Sequence, residues 1–88
     1  MSWKIDIKPN AEKQYLKLDK KTRKRIKDSL IHLEREENPL HDNNVKALTA
    51  ELKGDYRLRV GNWRILFTPE KGAKILHVYA ILPRGDAY

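Results

Sequence analysis

The first hydrophobic pattern in the chain is a strict alternation near its N-terminus. Trp3, Ile5 and Ile7 alternate with charged residues, and a period of two is typical of a strand with one buried face. Pro9 closes the pattern. We therefore predict a short strand at the beginning of the chain.

After Pro9 the hydrophobic period lengthens to that of a helix. Ala11, Tyr15 and Leu18 fall on one helical stripe from about Asn10, which predicts a first helix of roughly ten residues. Asp19 follows this stripe, and aspartate is a favoured N-cap. The sequence therefore predicts that a second helix begins directly after Asp19.

The second helix has one apolar side and one strongly basic side. Its apolar residues Ile26, Leu30 and Leu33 recur at i, i+4 and i+7. The cations on the other positions are Lys20, Lys21, Arg23, Lys24, Arg25 and Lys27. This basic side either grips RNA phosphates or is a solvated surface. Asn38-Pro39 ends the helix, because the residue before proline avoids helical angles, and residues 38–46 are predicted to form a loop.

Three strand patterns follow in the second half of the chain. Two of them alternate, and the third, Ile75 to Leu82, is an apolar run broken only by His77. The alternating residues on the predicted buried side are Tyr56, Leu58, Val60, Trp63, Ile65 and Phe67. Gly61-Asn62 is suited to the first hairpin turn, and the segment Pro69 to Gly72 to the second.

These patterns together predict an α+β fold with the order β-α-α-β-β-β. Two N-terminal helices would pack on one face of a small, mainly antiparallel four-stranded sheet and leave the other face free. A chain of 88 residues has the size of one small domain. We therefore expect residues 1–88 to form a single domain.

Composition limits the kinds of partner and of catalytic site that the chain is expected to have. The chain carries 19 Lys and Arg against 12 Asp and Glu, a net charge of +7, which suits a polyanionic partner such as RNA, DNA or an acidic protein. It has no cysteine, and its three histidines lack a paired-ligand spacing, so we expect neither a metal nor a cofactor. No apolar stretch has the length of a signal peptide or a membrane span. We expect a soluble, cytoplasmic protein.

The polar residues of the two middle strands are the candidate functional residues. If the aliphatic residues face the helices, then Arg57, Arg59 and Arg64 project together from the opposite face. Like charges so placed repel one another, which favours an anion bound between them. The alternative is that solvated arginines merely complete an amphipathic strand. The tail favours the first interpretation, because Arg84 and Tyr88 add a guanidinium that can hold phosphate and a ring that can stack on a base.

A continuous segment, residues 52–67, carries a family resemblance. Its sequence LKGDYRLRVGNWRILF is very similar to the signature of the RelE/ParE superfamily of toxins from type II toxin-antitoxin systems, and the predicted order of elements matches over essentially the whole chain. The resemblance implies one of two activities. RelE-type proteins cleave messenger RNA in the ribosomal decoding site, whereas ParE-type proteins inhibit DNA gyrase and lack the nuclease residues.

The resemblance favours the RelE-like branch. The positions of its nuclease residues are all filled, by Arg57, Arg59, Arg64, Arg84 and Tyr88. It implies a metal-independent endoribonuclease, in which the RNA 2′-hydroxyl attacks the adjacent phosphate. Gyrase inhibition remains the alternative, and the third hypothesis is a plain RNA-binding module or a toxin relative whose activity has decayed.

The same resemblance implies the partners of the chain. They are a cognate RelB-like antitoxin, the ribosomal A site and messenger RNA, with no membrane and no small-molecule cofactor. Leu40, Val45 and Leu48 either form a docking groove for the antitoxin or pack in the ordinary way. His77 would share a side of its strand with Ile75, Tyr79 and Ile81, which indicates a packed or partly buried histidine rather than a general base.

Overall fold

Two helices cover one face of a five-stranded sheet in the computed structural model, which describes residues 3–86. The strands are β1 (Lys4–Ile7), β2 (Val45–Ala47), β3 (Tyr56–Val60), β4 (Trp63–Glu70) and β5 (Ile75–Pro83), and the helices are α1 (Pro9–Leu16) and α2 (Lys20–Arg35). The strand order is β1-β5-β4-β3-β2, with β1 parallel to β5 and all other pairs antiparallel. None of the described helices combines the length and apolar character that a membrane crossing requires.

The predicted fold class is confirmed, but the predicted number of strands was wrong. The additional strand is β2, which begins inside the predicted loop of residues 38–46. It pairs with β3 through three residues, from Val45 opposite Leu58 to Ala47 opposite Tyr56. A strand of three residues is too short to display a period of two, so only its pairing with β3 defines it.

The ends of the helices follow local side-chain chemistry. Asp19 caps α2 as predicted, because its carboxylate accepts a hydrogen bond from the Thr22 backbone N–H at 3.2 Å. Pro9 opens α1, where its missing N–H has no helical partner to lose. Helix α2 already ends at Arg35, three residues before Asn38, whose side chain instead caps a 3₁₀ turn at Pro39–His41.

The main core lies between the helices and one side of the sheet, which we call the covered face. Its fully buried side chains include Ile26 and Leu33 from α2 and Ile65 and Phe67 from β4. The predicted inward residues of β3 and β4 all belong to this core or pack against it. Burying one such side chain contributes about 1.5–3 kcal/mol to stability, so this face supplies most of the hydrophobic stabilisation.

A β-bulge in β5 changes which residues reach the other side, the open face. Leu66 pairs with Ala80 whereas Phe67 pairs with Val78, so Tyr79 has no opposite residue on β4. Val78 and Ile81 therefore both reach the main core, whereas Ala80 belongs to a small apolar cluster on the open face. His77 and Tyr79 share the open face as predicted, but the prediction that Ile81 joins them was wrong, because the bulge reverses the alternation between Tyr79 and Ile81.

Candidate nucleic-acid interface

The three strand arginines lie on the open face of the sheet. Arg57 is the cross-strand partner of Leu66, and Leu66 belongs to the apolar cluster of that face. Arg59 lies two residues beyond Arg57, and its direct partner on β4 is Arg64. Because cross-strand partners point to the same side, the structure puts two guanidinium groups on opposite residues of one hairpin.

Asn44 positions the two arginines of β3. Arg57 Nη1 donates to the Asn44 carbonyl at 3.1 Å, and Arg59 Nη2 donates to Asn44 Oδ1 at 3.2 Å. The backbone N–H of Arg59 also donates to the Asn44 carbonyl, at 2.9 Å. Asn44 is therefore a support for both side chains. The sequence analysis missed it, because Asn44 is 13 and 15 residues away from these arginines.

Arg64 and Arg84 lie at the tip of the β3–β4 hairpin. Arg64 Nη1 donates to the carbonyls of Gly61 and Trp63, each at 3.0 Å. The backbone N–H of Arg84 donates to the carbonyl of Asn62, the second turn residue, at 2.8 Å. The backbone of the exposed Arg84 therefore lies beside Gly61 and Trp63, whose carbonyls orient Arg64. Tyr88, the fifth predicted site residue, lies outside the described residues.

A further arginine reaches this tip from the helix layer. A Cβ atom built on Gly61 would lie 2.7 Å from Arg25 Nη1, and Gly61 has a φ of +59°. The left-handed backbone favours glycine here, and a side chain at this position would displace the guanidinium of Arg25. Arg25 was part of the predicted basic side of α2. Its place at the tip depends on a contact across the fold that no local pattern could reveal.

A comparison with protein families shows to which family the chain belongs. The sequence profile described as "ParE toxin of type II toxin-antitoxin system, parDE" matches residues 5–88. The chain belongs to the ParE toxin family. The resemblance of residues 52–67 to the RelE/ParE superfamily is thereby confirmed, and the chain is a toxin of a type II toxin-antitoxin system. No curated protein sequence matches it significantly.

Solved structures of related toxins share the fold of this ParE-family chain. RelE in the archaeal RelE–RelB complex from Pyrococcus horikoshii OT3 is 26% identical, with a TM-score of 0.79 over 99% of this chain and 100% of that chain. The toxin of the intact E. coli RelBE complex is 20% identical, with a TM-score of 0.70 over 91% and 94%. The YoeB/ParE toxin from Agrobacterium tumefaciens is 15% identical, with a TM-score of 0.75 over 91% and 96%. The last two show the fold alone.

The open face brings a further cation next to the strand arginines. The acceptors that Arg57, Arg59 and Arg64 use in the hydrogen bonds above are neutral carbonyl and amide oxygens. Lys46 is the cross-strand partner of Arg57 on the far side of β3 and adds another exposed cation. The open face of this ParE-family toxin therefore gathers cations from β2, β3 and β4 side by side.

Asp55 is an acid on this side of the sheet that serves a different purpose. Asp55 accepts hydrogen bonds from Thr68 Oγ1 at 2.8 Å and from the Tyr79 hydroxyl at 2.7 Å. Burial, and then the Asp55 carboxylate, raise the pKa of Tyr79 above its ordinary value of 10.0. Tyr79 therefore remains a neutral hydrogen-bond donor that fixes the bulge of β5.

His77 lies at the far end of the sheet from the arginines of the toxin. It is paired in register with Thr68, four residues along β4 from Arg64, which is about 13 Å of strand. Its Nε2 lies 2.8 Å from Glu70 Oε1 and its Nδ1 lies 3.5 Å from Asp6 Oδ2. The predicted partial burial agrees with a side chain that is 25% exposed. Of the two ring nitrogens, only Nε2 has a hydrogen-bond partner among residues 3–86.

The predicted antitoxin groove does not form from the three aliphatic residues. Val45 belongs to the main core and Leu48 to the apolar cluster on the open face, and both are buried. Leu40 is partly buried against the main core. These residues therefore pack in the ordinary way, which was the alternative interpretation.

Proposed function

We propose that this toxin is a metal-independent endoribonuclease that cleaves messenger RNA in the ribosomal A site and so inhibits translation. The observation that carries the proposal is the direct pairing of Arg59 with Arg64 on the open face, with Arg84 tied to the same hairpin tip. Both the net charge of +7 and the pairing of these arginines suit the binding of RNA phosphates. The toxin would act in the cytoplasm, where ribosomes translate.

The energetics of the free protein favour anion binding at this pair. Like charges on directly opposite residues of two strands destabilise a sheet. Arg59 Nη2 donates to the neutral Asn44 Oδ1 at 3.2 Å, whereas a phosphate would accept charge-assisted bonds that are roughly twice as strong. A phosphate can therefore draw Arg59 away from Asn44 towards itself.

The proposed reaction is an attack of a ribose 2′-oxygen on the adjacent phosphorus. The 2′-O–P bond forms, the P–O5′ bond breaks, the 2′-hydroxyl gives up its proton and the leaving 5′-oxygen gains one. Arg64 clamps the phosphate, and Arg84 neutralises the charge that develops on the leaving oxygen. Arg57 and Arg59 add positive charge beside the phosphorane, and Tyr88 stacks on or orients the base.

The identity of these residues sets the dependence of the reaction on pH. Arginine, with a pKa above about 12, does not lose its proton near neutrality, and His77 is paired with acids far from Arg64. Electrostatic stabilisation and in-line alignment of the 2′-oxygen then supply the rate. We expect cleavage to change little between about pH 6 and 8. A steep rise with a midpoint near 7 would reveal a titrating base and contradict this mechanism.

A cognate RelB-like antitoxin is the proposed protein partner. The related toxins from P. horikoshii and E. coli are seen in complexes with RelB antitoxins. The strongly basic chain suits an acidic or amphipathic partner segment that covers the arginines. Binding of this kind would neutralise the toxin by blocking the same face that meets RNA.

The test is to express the toxin and map the 5′ ends of cellular messages. Cuts within translated codons are expected from the natural sequence and from Arg35→Ala, an exposed arginine on α2 that serves as the charge-matched control. Arg64→Ala and Arg84→Ala should lose these cuts. Intact messages with all four proteins would overturn the proposal.

Gyrase inhibition is the second candidate, because the matching profile is that of the ParE toxin. It requires no RNA chemistry, so substitution of Arg64 would leave most of the inhibition intact. DNA breaks together with intact messages, from both the natural sequence and Arg64→Ala, would identify this second function.

A further inference from the structure

A histidine and two carboxylates meet at the end of α2, away from the arginines. His32 and Glu36 are one helical turn apart, and Asp42 approaches them from the loop that precedes β2. His32 Nε2 lies 3.4 Å from Glu36 Oε1 and 3.5 Å from Asp42 Oδ2. One ligand atom from each of the three residues lies within 4.8 Å of the others.

The two separations from His32 Nε2 are those of neighbouring ligands around a small metal ion. Zinc binds imidazole nitrogen and carboxylate oxygen at about 2.0–2.2 Å, so two ligands at tetrahedral angles are about 3.3–3.6 Å apart. Both distances from His32 Nε2 fall in this interval. Imidazole together with carboxylates is a donor set for zinc and similar transition metals, whereas magnesium prefers oxygen alone.

The carboxylates of Glu36 and Asp42 lie close together, and one of their oxygens accepts no hydrogen bond from the described residues. Glu36 Oε2 is shielded from solvent and has no hydrogen-bond partner among residues 3–86. Two crowded carboxylates are stabilised by a cation placed between them.

We propose that His32, Glu36 and Asp42 bind a divalent transition-metal ion, of which Zn²⁺ fits the donors best. Three protein ligands would leave a fourth position for water. The spacing of the histidines in the sequence gave no indication of this site, because Asp42 joins the helical pair only through the path of the loop. The proposal does not depend on the ribonuclease activity.

The site would fix the loop that supports two of the arginines. Asp42 Oδ1 accepts from the Asn44 backbone N–H at 2.8 Å, so Oδ2 is the oxygen that faces His32. Asn44 in turn holds Arg57 and Arg59. The ion would therefore connect the end of α2 to the support of the open face, as a structural element rather than a catalytic group.

The experiment compares the thermal unfolding midpoint of untagged, chelator-treated protein with and without Zn²⁺. Zn²⁺ at a hundredfold excess over its dissociation constant should raise the midpoint by about 10–20 °C in a domain of this size. The same shift is expected for His41→Ala, which removes a neighbouring histidine outside the cluster. His32→Ala and Asp42→Asn should lose it. His32 is 68% exposed, so its replacement should not prevent folding.

Co²⁺ gives an independent measurement of the same site. Visible absorption bands of a nitrogen- and oxygen-ligated ion should appear with the natural sequence and with His41→Ala, and should be absent with His32→Ala. Mg²⁺ should leave the midpoint unchanged. The proposal is overturned if Zn²⁺ does not shift the natural protein, if His32→Ala responds equally, or if Mg²⁺ gives the same shift.

Discussion

The two faces of the sheet are built from the same strands but carry opposite chemistry. On the covered face, Leu58 and Ile65 are opposite one another, and both are buried under the helices. On the open face, the next pair along the same hairpin is Arg59 and Arg64. A single strand therefore contributes apolar contacts to one side and positive charge to the other at every second residue.

This comparison shows how the toxin separates stability from binding. The covered face stabilises the fold through burial, whereas the open face places like charges together and weakens it slightly. Side chains on the two faces of a strand share few contacts, so their substitutions should have nearly independent effects. Changes on one face should alter folding, and changes on the other should alter the proposed cleavage.

The largest expected effect is a loss of stability from the covered face. Phe67 is fully buried and stacks on Tyr56 with ring centroids 6.0 Å apart. Phe67→Ala should lower the free energy of unfolding by about 3–5 kcal/mol, because it leaves a cavity in the main core. Urea unfolding followed by circular dichroism measures this change.

The matched control is the neighbouring residue on the other face. Leu66 is also buried, but it packs in the small cluster on the open face, which includes its cross-strand partner Ala80. Leu66→Ala should therefore cost only about 2 kcal/mol, the low end for leucine, because few neighbours surround the cavity. Equal losses at the two positions would contradict the idea that the covered face dominates folding.

The second effect concerns activity and comes from the open face. If Arg64 stabilises the charged transition state, Arg64→Ala should reduce the rate of RNA cleavage about 10²–10³-fold. Its free energy of unfolding should stay within about 0.5 kcal/mol of the original, as for most surface substitutions. Single-turnover cleavage on programmed ribosomes measures the rate.

Arg35→Ala removes the same charge from the helix layer and should keep nearly the full rate. A similar fall in both variants would show that net charge, rather than the position of Arg64, controls the activity. A normal rate in Arg64→Ala would remove this arginine from the proposed site.

The division between the faces could be predicted from sequence, but several of its details could not. The alternation from Tyr56 to Phe67 predicted which residues reach the core, because a period of two is a local property. The bulge at Tyr79 was missed, since it is defined by the register between β4 and β5. The supports supplied by Asn44 and Arg25 depend on contacts between distant segments, which no single window of sequence contains.

The third effect concerns the tip, where the helix layer and the open face meet at Gly61. A side chain there would adopt a φ of +59° and meet Arg25. Gly61→Ala should cost about 1–2 kcal/mol for the backbone alone. Gly72→Ala is the control, because nothing lies within 4 Å of its added Cβ atom. The two variants are compared by their urea unfolding midpoints. A double variant with Arg25→Ala and Gly61→Ala separates the cost of the contact with Arg25 from the cost of the left-handed backbone. Full recovery in that double variant would show that the backbone carries no cost.

The smallest effect tests the polar anchor of the bulge on the open face. Tyr79→Phe removes the 2.7 Å hydrogen bond to Asp55 and should lower the free energy of unfolding by about 1 kcal/mol at neutral pH. The pKa of Tyr79 is raised in the folded protein from its ordinary value of 10.0, first by burial and then by Asp55. Its contribution is therefore complete below about pH 10 and declines as the pH rises further, because only the unfolded phenol then ionises. Unfolding between about pH 8 and 11 should become less dependent on pH in Tyr79→Phe. If the two proteins instead lost stability in parallel, the phenol would ionise equally in both states, and burial together with Asp55 would not hold it neutral.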